Sequence, residues 1–208
     1  MSPVPRRTQQ ERRESTIRKL LDAATDTLID IGYAEASVQQ ICERAGMSQG
    51  ALFRHFATRE DLMVAVGTDV GARVLASYEA RFAAAPRAGD VETALRLLRE
   101  ACRSRINQAW YELQVAARTR PALRDALAPV LRRYFADIAA LAQRLLPDVA
   151  AALGATFELV VTSAIMLFDG ETTHRFLVED PALDDARLAA LVSAITQLQN
   201  TGDLARRK

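Results

Sequence analysis

The chain has 208 residues, half of them hydrophobic, with 27 Lys and Arg against 26 Asp and Glu and a net charge of +1. That is enough apolar material for one or two globular domains, and the balanced charge excludes a broadly basic coat for indiscriminate nucleic-acid binding. Two cysteines and two histidines supply neither a disulfide framework nor a metal-ligand spacing, which predicts a cytoplasmic chain without cofactor or metal.

Residues 1–14 read as a flexible basic arm. Arg6, Arg7, Arg12, Arg13, Arg18 and Lys19 face only Glu11 and Glu14 near this end, a local charge suited to neutralising phosphates or entering a minor groove. No apolar stretch follows the arginines, so no secretory signal is read. A helix rich in Ile, Leu and Ala comes next and stops at Gly32-Tyr33. Asp22 and Asp26 share a face of it, as ordinary solvation.

Ser37 to Phe56, SVQQICERAGMSQGALFRHF, reads as two short helices joined by a tight turn. Ser37 and Gln40 form a capping box, and Val38, Ile41, Cys42 and Ala45 make one apolar stripe. Gly46 stops this helix, because the residue past a helix end often needs a left-handed backbone. Ser48 caps the next helix, which runs to about His55, turns Leu52 and Phe56 inward and leaves Gln49, Gly50, Phe53 and Arg54 on other faces. A glycine inside a helix costs about 1 kcal/mol relative to alanine, so Gly50 before Ala51 points to close approach by another body, either a packed helix or a DNA edge.

The run from Ile17 to Val66 resembles the N-terminal domain of the TetR family of transcriptional regulators. The resemblance rests on Gly32-Tyr33, Ser37-Val38, Ala45-Gly46-Met47-Ser48, His55-Phe56 and the Thr-Arg-Glu-Asp-Leu restart. It implies an all-α homodimer of about nine helices, with a three-helix helix-turn-helix domain over 15–58 and a larger effector-binding and dimerisation domain over 59–208. It also implies a repressor that leaves its double-stranded operator when a small molecule binds.

Within that frame Gln49 and Arg54 are assigned to base edges and Phe53 to a thymine methyl or a sugar. Ser37, Ser48, His55 and Arg59 are assigned to phosphates, with Gly50 and Ala51 closest to the DNA. Where the family commonly carries Thr, Tyr and a following Lys, this chain has Ala51, Phe53 and Arg59, so two hydroxyls are lost while the cation is kept.

A long connecting helix is expected from Arg59 to about Ala84, ended by Ala85-Pro86-Arg87-Ala88-Gly89. Asp90 caps a helix through Cys102, another carries Ile106, Trp110, Leu113 and Ala117, and a third runs from Pro121 to Leu145. The stretch 149–168 is apolar enough to suggest a membrane span, but Glu158 and Gly154 favour a buried interface helix. Helices over 155–178 and 184–199 complete the chain. Phe157, Val160, Val161, Ala164, Leu188, Leu191, Val192 and Ile195 are their candidate dimer residues, each equally readable as core.

The family architecture places the effector among the middle helices, where Trp110, Tyr111, Gln114, Tyr134, Phe135, Met166, Phe168 and His174 offer large or polar side chains. Met166 and Phe168 also suit a core, and His174 also suits the end of a dimer helix. Cys42 and Cys102 read as buried small hydrophobes. Catalysis has no support in the sequence, which lacks a phosphate loop, a nucleophile elbow and a zinc motif. The alternative reading is an architectural or ligand-independent DNA-binding protein, which would have no use for so large a C-terminal portion and would be far more basic.

Overall fold

The computed structural model describes residues 8–87 and 89–206, which fold into helices α1 (Gln9–Glu35), α2 (Val38–Ala45), α3 (Gln49–Phe53), α4 (Arg59–Ala83), α5 (Val91–Cys102), α6 (Arg105–Ala117), α7 (Pro121–Leu145), α8 (Pro147–Leu153), α9 (Phe157–Arg175) and α10 (Pro181–Arg206). The expected helices are all present, and the short α8 is added to them. α5 and α6 are separate, since α5 ends at Arg103. The helices form two compact units: one contains residues up to Val70 together with Gln108–Val130, and the other contains Gly71–Asn107 and the residues from Leu131 onward. The boundary expected at 58/59 therefore gives way to one that keeps the first half of α4, most of α6 and the start of α7 with the helix-turn-helix.

In the first unit α1 starts earlier than the sequence reading allowed. The Thr8 hydroxyl accepts the Glu11 amide at 3.2 Å, and the Thr8 amide donates to the Glu11 carboxylate at 2.7 Å. This capping box satisfies two helix-end donors at once. Gln9–Glu14, expected in a flexible arm, are thus the opening turns of α1. Arg6 and Arg7 lie outside the described residues. Arg12, Arg13 and Lys19 are exposed on α1, whereas Arg18 pairs with Asp69 at 2.6 Å. That hydrogen bond and the opposite charge raise its pKa further and occupy it.

Leu20, Leu28, Ile41, Leu52, Leu62, Met63, Val66 and Leu113 are wholly buried, each worth about 1.5–3 kcal/mol over its exposed state. A notch in α4 admits Trp110: a Cβ built on Gly67 would stand 2.8 Å from Trp110 Cζ3 and 3.4 Å from Leu127 Cδ2. Gly67→Val should therefore cost about 2–3 kcal/mol through overpacking, seen as a lower midpoint when thermal unfolding is followed by Trp110 fluorescence.

The core of the second unit joins Val91, Leu95, Cys102, Val149, Leu153, Phe157, Ala164, Phe168, Leu188 and Ile195, with Val160, Val161, Leu191 and Val192 packed against them. All eight residues expected at a dimer interface fall in this cluster. Phe157, Ala164, Leu188 and Ile195 are buried in their own core and are withdrawn from the interface, whereas Val160, Val161, Leu191 and Val192 pack against that core and keep some exposed surface. Phe168 is fully buried core as well.

The bare side of α9 is the opposite one, where Leu159 (66% exposed), Met166 (62%) and Leu167 (37%) stand outward. Ser163, Thr173 and His174 are exposed on this helix too, and Phe176, Leu177 and Val178 follow it uncovered. By length and composition Pro147–Arg175 could cross a membrane, with mean hydropathy 1.8. The segment is nevertheless broken at Gly154 (φ 54°), which separates α8 from a 3-10 turn and α9.

Candidate nucleic-acid interface

The α2–turn–α3 segment is built as its sequence dictates. Ser37 Oγ accepts the Gln40 amide at 3.3 Å while Gln40 Oε1 accepts the Ser37 amide at 3.0 Å, closing the capping box. Gly46 takes φ 65°, ψ 39°, a left-handed conformation that strains other L-residues, and its amide caps the Cys42 and Glu43 carbonyls. Ser48 Oγ then accepts the Ala51 amide at 3.2 Å and starts α3. Ile41, Cys42, Leu52 and Phe56 are buried beneath, so the outer face is held on a rigid base.

That outer face carries Ser37, Gln39, Ser48, Gln49, Gly50, Phe53 and Arg54, all exposed, with Ala51 and His55 half-buried. Phe53 is 46% exposed, a large ring with no place in the core. A Cβ at Gly50 would find only Ser48 Oγ, 4.0 Å away. The packing explanation for Gly50 is thereby removed: among the described residues no helix packs against that Cβ position, and the space above it is open to another body. α3 itself ends at Phe53, and the last turn closes through Leu52 O, which accepts the amides of His55 at 2.9 Å and Phe56 at 3.0 Å. His55 Nδ1 is buried without a hydrogen-bond partner.

Arg59 departs from expectation. Its Nη2 donates to Tyr33 O at 2.6 Å and its Nε to Ala36 O at 3.1 Å, while the guanidinium lies 4.1 Å from the centroid of the Tyr33 ring. Two donors expected on a phosphate are occupied inside the protein. Glu112 and Arg120, which sequence reasoning did not single out, meet the same tyrosine: Glu112 Oε2 accepts the Tyr33 amide at 3.1 Å, and the Arg120 guanidinium lies 4.8 Å from the ring. Nothing local marks them, since they are 79 and 87 positions away along the chain.

The residues expected around an effector are divided between the two units. Trp110 (6% exposed), Tyr111 and the exposed Gln114 belong to the first unit, Tyr134 and Phe135 to the second. Met166 is 62% exposed. His174 is also exposed and sets Nδ1 2.7 Å from Gly170 O of its own helix. These two are corrected: they lie on the uncovered side of α9 because the helix turns Phe168 and Ile165 inward instead. Tyr134 sits over α4, 3.0 Å from where a Gly71 Cβ would stand. Burial pushes its phenol well above the usual range, with Cys102 and Asp169 contributing; burial, then Asp169, likewise raises the Cys102 thiol. Both cysteines are buried and free of disulfides.

Residues 20–66 match the family model of bacterial regulatory proteins of the tetR family. An uncharacterized HTH-type transcriptional regulator of Mycobacterium tuberculosis is 40% identical over 191 residues, covering 91% of this chain and 97% of its own. Among solved structures, a TetR-family regulator from Rhodococcus superposes with a TM-score of 0.65 at 22% identity, covering 89% of this chain and 99% of that one. The multidrug binding protein EbrR complexed with imidazole does so at 0.62 with 24% identity, covering 94% and 97%. These two share the fold; the mycobacterial protein shares sequence over nearly the whole chain. The chain belongs to the tetR family of bacterial regulatory proteins, transcriptional regulators that carry a helix-turn-helix.

Proposed function

We propose that the protein is a cytoplasmic, dimeric repressor whose paired α3 helices read a twofold operator and which a small-molecule effector releases. The observation that carries this reading is the exposed, firmly based α3 with open space over Gly50. Gln49 and Arg54 read base edges, Phe53 meets a thymine methyl or a sugar, and Ser37, Ser48 and His55 hold phosphates with help from Arg12 and Arg13. The twin is seated on the apolar side of α9 through Leu159 and Met166, because an apolar strip of this kind marks an interface. Small exposed residues of α10, Ala186, Ala190 and Ala194, let a neighbouring helix come close.

The effector is held in the second unit, with Tyr134 and Phe135 as its aromatic wall. It favours a pose of the two α3 helices that no longer fits successive major grooves, and by linkage effector and operator weaken each other by the same factor. No catalytic role is assigned.

Selection of bound fragments from the source genome, followed by binding of the best fragment and a scrambled one over a salt series, tests this reading. Tight, palindromic, salt-sensitive binding supports it; equal affinity for both DNAs makes the protein an architectural binder. On the selected fragment Arg54→Ala should weaken binding by about tenfold or more and relax the choice at one base pair. Arg12→Ala or Arg13→Ala should weaken all sequences alike and lower the salt slope by about one.

A further inference from the structure

The joint between α1 and α2 is gripped from two directions. α1 breaks at Gly32 (φ 75°, ψ 168°), and the next residue, Tyr33, is 3% exposed. From the start of α4, Arg59 holds the Tyr33 and Ala36 carbonyls and covers the ring. From α6 and the turn after it, Glu112 accepts the Tyr33 amide and Arg120 places a second guanidinium over the ring. Gly32 makes room for this, since a Cβ there would stand 3.1 Å from Glu112 Oε2. The Tyr33 hydroxyl is buried with no hydrogen-bond partner, so the ring is fixed by its amide, its carbonyl and its face rather than by its polar end.

We propose that Glu112 and Arg120 are positioning residues for operator binding: their clasp on Tyr33 sets the pose of the helix-turn-helix, and α6 controls that pose through it. The proposal rests on the operator-binding reading and adds a route to the α4 connection. Neither residue belongs to the α2–α3 face. α2 follows Tyr33 by only a few residues and is tied to it through Arg59, so a shift of Tyr33 is passed to the whole reading segment. A charge-assisted hydrogen bond and a cation over a desolvated ring together hold one orientation. Releasing them lets the segment sample several poses, of which one fits the groove, and apparent affinity falls by that fraction.

The test uses the full chain. In Glu112→Ala the Tyr33 amide of the free protein should exchange with solvent about tenfold faster or more. Affinity for the selected fragment should fall about five- to tenfold with an unchanged salt slope. Glu112→Gln, whose amide oxygen can still accept, should restore most of both. Arg120→Ala should weaken binding without changing the slope, and combining it with Glu112→Ala should lose less than the product of the two, because they act on one ring. Unchanged exchange and affinity in Glu112→Ala would overturn the proposal. So would a lowered melting temperature with full affinity, which marks a purely structural contact, or a slope reduced by about one in Arg120→Ala, which marks a phosphate contact. If the wild-type chain selects no fragment, the operator reading fails, and accelerated or unaltered Tyr33 exchange still decides whether the clasp exists.

Discussion

Met166→Asp is expected to leave the protomer folded, to abolish its self-association and to reduce operator affinity by about a hundredfold or more. Met166 is 62% exposed on α9, so in the separate protomer the carboxylate stays in water and costs little. Against a twin, the same carboxylate would be desolvated beside Leu159, Leu167 and its own symmetry mate, a like-charge pair in an apolar seam. On the proposed twofold operator the consequence would reach the DNA, because two tethered α3 helices would bind two half-sites with an avidity gain of about 10²–10⁴, which a monomer forfeits. Sedimentation velocity reads the assembly and fragment binding reads the affinity, with far-UV circular dichroism confirming the fold. A variant that remains dimeric would exclude this face of α9. A variant that becomes monomeric yet binds the selected fragment with full affinity would exclude the twofold operator.

The same helix shows where sequence stops being informative. Caps and stops are local chemistry, so Ser37 with Gln40, Gly46, Ser48 and Asp90 could be read in order, and each performs in the structure the role assigned to it. The Thr8–Glu11 capping box was equally legible, yet the surrounding charge suggested a loose arm. α9 is apolar on both sides, so its periodicity does not distinguish the face that covers Phe157, Ala164 and Phe168 from the face that carries Leu159 and Met166. Only packing against α5 and α10 decides this. Arg59 illustrates a different limit: its place after the recognition helix suits a phosphate, but two backbone carbonyls freed at the α1–α2 joint lie nearer. Glu112 and Arg120 act on a residue far away in the chain, and no local pattern can announce such a contact.

Asp184→Asn is expected to cost about 3 kcal/mol, a fall of roughly 6–12 °C in melting temperature for a chain of this size. Asp184 is 3% exposed in the first turn of α10. Its carboxylate meets Arg103 at 2.8 Å, Arg187 at 3.1 Å and Arg175 at 3.3 Å, and its carbonyl accepts from Arg99 at 3.0 Å. One anion thereby ties the ends of α5 and α9 to the start of α10, and asparagine of the same shape would leave those guanidinium groups short of charge. The arginine side chains are 23–41% exposed and can turn partly to water, which sets the loss at the lower end of the range for a broken buried pair. Glu171, 2.8 Å from the same Arg103, should behave in the opposite way. Burial and the neighbouring Asp184 carboxyl raise its pKa, and Arg103 offsets this only in part. A raised carboxyl stabilises the fold below the ordinary glutamate range, near pH 4.3, and that contribution is lost as pH climbs through the raised value. Glu171→Gln, which copies the protonated form, should therefore raise the melting temperature at pH 8 relative to wild type and give no gain at pH 4. Equal losses from Asp184→Asn and Glu171→Gln at pH 8 would show instead that both carboxylates are required as anions, with Arg103 strong enough to hold the pair.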